Sequence, residues 1–307
     1  MKNIIIVIGI IIIIVLGAYI FKGKSADNVV VNPNPTETPT PTPITPPIAS
    51  TTEPTSSDKG PVEVIGKSVE GKDITAYHYG TGEKEILFVG GIHGGYSWNA
   101  ALVAQELKDY LDKNPNVVPE EVKVTVIPVL NPDGLNKVVG TATGNFSASE
   151  VSTDQAVLTS GRFNANKVDL NRNFDCDWQA EAKWQNKDVS GGTAAFSEPE
   201  AQAIKTYVEA NKPEAVVIYY AAAGGVYASS CHNGVSDGTK SIMNTYAKAA
   251  GYTANDSYDF YETTGDMANW LAKINVPAIS VLLTNHTSTE WTKNKAGIEA
   301  LIKSYAN

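Results

Sequence analysis

Between Gly161 and Cys176 the chain reads GRFNANKVDLNRNFDC, a short segment carrying two arginines, Arg162 and Arg172, with Asn171 next to the second. A guanidinium can hold a carboxylate through two parallel hydrogen bonds, and it can equally serve a structural salt bridge. Upstream, His93 sits in the glycine-rich stretch GGIHGG, and further along comes PVLNPDGL. A histidine in such a turn is either a plain loop residue or part of a reaction centre. A hydrolytic zinc centre needs three protein ligands and an open position for water. It also needs a base for that water and hydrogen-bonding groups for the oxyanion.

The elements that must carry these residues are visible as apolar runs. EILFVGGI (85–92), VKVTVIPVL (122–130), AVVIYY (215–220) and AISVLL (278–283) suit buried strands. Leu102, Val103, Leu107 and Leu111 share one helical face. Ser197 and Glu200 have capping-box spacing ahead of a helix over 201–210. Further helices are expected near 239–250 and 293–305. Strands alternating with helices predict an α/β domain with helices on both faces of its sheet. Sites in such sheets lie at the carboxyl ends of central strands. His93, Asn131, Tyr220 and Thr284 all fall at or just past such ends. NPDG (131–134) is a turn signature and is read as structural.

GGIHGG, NPDG and VDLNRNF together resemble the zinc metallocarboxypeptidases, the carboxypeptidase A-like and murein-peptide amidase-like peptidases, over nearly all of 60–307. The resemblance implies a single domain with a mixed, mostly parallel twisted sheet. His93 matches the family's first zinc ligand. Its partner carboxylate should follow a few residues later, where the chain has Tyr96, or Ser97 at one residue longer spacing. Ser97 also reads as a helix N-cap. The second ligand histidine is replaced by Tyr220, which suits filling the vacated space better than binding a metal, since a tyrosine ionises near pH ~10. The catalytic glutamate is replaced by Leu282 in VPAISVLLT. Leucine cannot accept a proton, and loss of a general base typically costs ~10²–10⁴-fold.

The substrate side matches the family better. Arg162 corresponds to the oxyanion-stabilising arginine, and Asn171 and Arg172 to the pair that grips the substrate's terminal carboxylate. Tyr261 falls near the mobile tyrosine that caps the substrate. Three readings stay open. One is a non-catalytic homologue that binds peptides with a free carboxylate, including cell-wall peptides, and needs no cofactor. Another is an active zinc carboxypeptidase or cell-wall peptide amidase with unusual ligands, for which His78, His232, His286, Asp175, Glu198 and Asp266 are the residues to consider. The third is an inactivated variant of an otherwise active enzyme.

Composition sets the surroundings. The chain has 307 residues, 42% of them hydrophobic, enough for one real core. A formal charge of −9 argues against nucleic acid as a partner. Ile4 to Phe21 is an uncharged apolar run close to bilayer-spanning length, read as an anchor within residues 1–24 or as a signal that is cleaved. Residues 25–59 include NPNPTETPTPTPITPP, which cannot bury enough surface to fold and is expected to form a stalk. The pairing implies a membrane protein with its domain outside the cell, or a secreted one if the first segment is removed. In that setting Cys176 and Cys231 could form one disulfide.

Overall fold

The computed structural model describes residues 61–306. The expected anchor and stalk lie outside the described residues. Among those described, no helix is long and apolar enough to cross a membrane.

Eight strands build the main sheet: β1 (Val62–Lys67), β2 (Asp73–Tyr79), β3 (Lys84–Val89), β4 (Val122–Ile127), β7 (Ala215–Ala221), β8 (Gly225–Ala228), β9 (Ala254–Asn255) and β10 (Ala278–Leu283). Two more, β5 (Glu181–Trp184) and β6 (Lys187–Ser190), form a separate antiparallel hairpin. The order across the sheet is β1-β2-β4-β3-β7-β10-β8-β9. Its middle, β4-β3-β7-β10, is parallel; β1, β2 and β8 run antiparallel to their inner neighbours.

The central strands read as unbroken apolar runs because both of their faces are covered. On one face, Phe88, Val124, Val217 and Val281 pack with Val103, Leu107 and Leu111 of α1 (Trp98–Lys113). The same core takes Ile242 and Tyr246 of α5 (Asp237–Ala250) and Ile298 and Leu301 of α7 (Trp291–Ser304). On the other, Leu87, Val216, Ile218 and Leu282 meet Ile204 and Val208 of α4 (Pro199–Asn211) and Trp270 and Leu271 of α6 (Met267–Lys273). Alternate residues of each strand thus serve opposite cores. The short helices α2 (Pro132–Val139) and α3 (Gln155–Ser160) cover the loops at the strand ends.

Three local expectations change. The capping box at α4 does not form. The helix starts with Pro199 in its first turn, Ser197 Oγ donates to Glu198, and Glu200 accepts from the amide of Val69. Burial of Glu200 against β1 drew the carboxylate away from the helix end. Ser97 does occupy the N-cap position of α1, but its hydroxyl caps nothing. NPDG is more than a turn: Asn131 Oδ1 accepts from Gly134 N and caps α2. Asp133, fully buried, accepts from Ser68 Oγ, Glu70 N and Lys72 Nζ, tying α2 to the β1–β2 turn.

Candidate functional site

At the carboxyl ends of β3, β7 and β10 lies a cavity of about 270 Å³. His93, Tyr96, Arg162, Asn171, Arg172, Tyr220, Tyr261 and Leu282 all line it. Close packing of glycines brings the loops together. A Cβ on Gly94, whose φ is +42°, would stand 2.6 Å from the carbonyl oxygen of Gly161. Only glycine allows the GGIHGG turn and the Arg162 loop to approach this closely.

His93 is 6% exposed and is pushed down to about 4 by burial and then by the nearby Arg162 guanidinium. It is therefore neutral at pH 7. Its Nε2 stands 3.6 Å from Asp169 Oδ1, and neither ring nitrogen has a hydrogen-bond partner among the described residues. The imidazole packs against the Tyr220 ring at 5.5 Å between centroids. Tyr220 donates to Asn171 Oδ1 at 3.0 Å, and burial, then the charge of Asp266, push the phenol well above its usual range. Leu282 lies beside Tyr220 in the parallel pairing of β10 with β7.

The two arginines are buried. Arg162 Nε donates to Asp169 Oδ2 at 2.8 Å, and its guanidinium lies 4.4 Å over the Trp184 ring and 5.7 Å over Tyr96. Burial alone would raise the Asp169 carboxyl; Arg162, His93 and Arg172 together outweigh it and hold it well below the usual carboxylate range. Arg172 donates to the carbonyls of Lys183 and Asn171. Each arginine keeps one Nη2 without a hydrogen-bond partner among the described residues. These spare donors, in a cavity walled by aromatic rings, suit a carboxylate. Tyr261 forms part of that wall, its ring 6.0 Å from the Arg172 guanidinium.

Other residues considered from sequence fall in different places. Tyr96 faces the cavity, whereas Ser97 is buried and does not line it. Asp266 and His286 also line it. Asp266 caps α6 through Asn269 N, and His286 packs edge-on against Tyr96. Asp175 pairs with Lys273, Glu198 holds Asn164 and Asn166, His78 bonds Thr125, and His232 pairs with Asp177. Sequence reasoning missed Asp169 and Trp184. An acid two residues before an Asn-Arg pair was a signal for the first. Trp184 sits on a four-residue strand outside the main sheet and offered none.

A zinc ion does not fit these residues. His93 is the one strong donor at the expected position; the phenols of Tyr96 and Tyr220 are both raised by burial and stay protonated. The two cysteines elsewhere are joined as the Cys176–Cys231 disulfide.

Known proteins share parts of this sequence and its fold. In the human carboxypeptidase N catalytic chain, 124 residues match at 31% identity, covering 36% of this chain and 25% of that protein. Gamma-D-glutamyl-L-diamino acid endopeptidase 1 of Lysinibacillus sphaericus matches at 22% identity over 64% of this chain and 54% of its own length. The chain thus aligns with little more than half, or less, of these curated relatives. Among solved structures, murein-tripeptide amidase MpaA from Escherichia coli O157 superposes with a TM-score of 0.57 at 19% identity, over 80% of this chain and 92% of that one. Carboxypeptidase A from Helicoverpa armigera gives 0.62 at 19% identity, over 80% and 68%. Those two likenesses show the fold. The sequence profile of the zinc carboxypeptidase family matches residues 52–304, and the chain belongs to that family.

Proposed function

We propose that this member of the family binds peptides through their terminal carboxylate and does not hydrolyse them. The observation that carries the reading is the side-by-side placement of Tyr220 and Leu282 in the β7–β10 pairing, with His93 against the Tyr220 ring. A hydrolytic centre would use these positions for a ligand and a base. Here a phenol held to Asn171 and an aliphatic side chain fill the space. The buried guanidinium groups beside them keep a free donor each, so the carboxylate-binding half of the chemistry persists. Arg172 and Asn171 would take the terminal carboxylate, Arg162 the adjacent carbonyl, and Tyr261 would close over the bound residue.

The class of peptide is proposed as cell-wall peptide. The similarity to a murein-tripeptide amidase and a diamino acid endopeptidase supports it, as do the apolar run and Pro/Thr tract, which suit a domain held outside a membrane.

The test compares a murein-type tripeptide with its C-terminal amide by calorimetry on the wild-type chain. The free acid should bind ~10–100-fold more tightly, the worth of a charged hydrogen-bonded pair, and Arg172→Gln should bring it down to the amide. Equal binding of acid and amide, or zinc-dependent, chelator-sensitive release of an amino acid, would overturn the reading.

A further inference from the structure

Away from the cavity, two dipeptides face each other: Cys176-Asp177, following the arginine segment, and Cys231-His232, in the loop after β8. The disulfide joins them across 6.3 Å between Cα atoms. One ligand atom each from Cys176, Cys231 and His232 lies within 4.8 Å of the others. Asp177 joins the group: its Oδ1 is 2.9 Å from His232 Nε2 and its Oδ2 is 3.8 Å from Cys176 Sγ. A tetrahedral zinc site places such atoms roughly 3.3–3.8 Å apart. The Asp177–Cys176 distance already has that spacing, whereas the Asp177–His232 contact would have to open and the bonded sulfurs to separate.

We propose that these four residues form a latent site for a thiophilic divalent cation such as zinc, masked by the disulfide and opened by its reduction. The donor set, two thiolates, an imidazole and a carboxylate, is one that zinc accepts. The two cysteines are buried, at 3% and 7% exposure, while the His232 and Asp177 side chains are 70% and 54% exposed. An ion can therefore approach from solvent on the side of the two exposed ligands. Asp177 and His232 both hold left-handed backbone, with φ of +53° and +62°. Few side chains other than Asn, Asp and His adopt this region readily.

The chemistry balances with a dithiol as reductant. It gives two electrons and two protons to the disulfide, leaving two cysteine thiols and its own cyclic disulfide. Binding of the cation then releases both thiol protons as the thiolates coordinate. None of the four residues lines the cavity, so the site stands independently of the peptide-binding reading.

The experiment uses the full chain, reduced with a dithiol and desalted without oxygen, then titrated with zinc against a chromophoric chelator and with cobalt(II) for thiolate charge-transfer absorption. The reduced chain should take up about one ion with thiolate absorption, and the oxidised chain none. His232→Ala and Asp177→Asn, both surface changes, should weaken uptake by ~10-fold or more. Cys176→Ser with Cys231→Ser should abolish it, and His93→Gln should leave it intact. The idea fails if the reduced chain binds no ion, if the oxidised chain binds equally, or if His232→Ala and Asp177→Asn change nothing. It fails equally if circular dichroism shows the reduced, metal-free chain unfolded, since no formed site would then receive the ion.

Discussion

At the scale of single residues, the Asp169 carboxylate organises the cavity. It holds Arg162 through Nε and stands beside His93, where it favours the imidazolium but is outweighed by burial and the Arg162 charge, which keep the imidazole neutral. His93 makes a testable pH statement. Its folded value is lowered to about 4 from an ordinary 6.5. Between those values the unfolded chain binds the extra proton, so this stability is complete above about pH 6.5 and is lost as pH falls toward 4. The loss is about 3 kcal/mol for this residue alone. Urea unfolding at pH 7 and pH 4.5 should show a smaller difference for His93→Gln than for the wild type; parallel curves would refute the assignment. Of this residue set, the arginines, His93, Tyr220 and Leu282 could be expected at one cavity from sequence because motif spacing survives around them. Asp169 lay in the same motif and was passed over. Trp184, under the Arg162 guanidinium, was invisible because sequence shows no neighbour relation between a short outer hairpin and a distant loop.

At the scale of elements, strand register decides what can meet. The parallel pairing of β7 with β10 sets Tyr220 next to Leu282, and the turn after β3 delivers Tyr96 to the same cavity. Tyr96→Glu, Tyr220→His and Leu282→Glu, combined, should therefore lower the melting temperature without zinc, because unpaired carboxylates are buried. Zinc at ~100 times its dissociation constant should return about 3 kcal/mol, in contrast to no shift for the wild type. Failure of zinc to stabilise the triple variant would show that the loops no longer hold ligand geometry. The loops depend on glycine contact as well. Gly94→Ala should cost ~1–3 kcal/mol from its positive φ, and more from the clash with Gly161, measured by denaturant midpoint. The four central strands were legible because burial on both faces writes them as apolar runs. β1 and β2 were not, because β1 buries no residue fully and β2 buries only Ile74 and Ala76. The α4 start was misread because Ser197 and Glu200 have partners far away in sequence, and local spacing carries no trace of Val69 or Asn173.

At the scale of the whole molecule, one sheet carries two cores, and the cavity opens where the parallel strands end. The disulfide staples the arginine segment to the loop after β8, closing a sequence separation of 55 residues. A loop of that size is worth about 4 kcal/mol in the chain-entropy account. Cys176→Ser with Cys231→Ser should lower unfolding stability by that order in guanidinium titrations, and no change would mean the loop ends are held by other contacts. The α/β class and the family were legible at this scale because strand–helix alternation and three spaced motifs span the domain; the β5–β6 hairpin was not. β1 adds a mechanical consequence. It is the edge strand of the sheet and the first strand of the described residues, bonded on one side to β2 and packed where Gly66 approaches Ala203 of α4. Any tension arriving along the chain from its N-terminal side loads β1 before any other strand. The force at which the domain begins to yield is then set by the β1–β2 pairing and the α4 contact, and the central parallel strands that carry the cavity are shielded until that outer strand peels away.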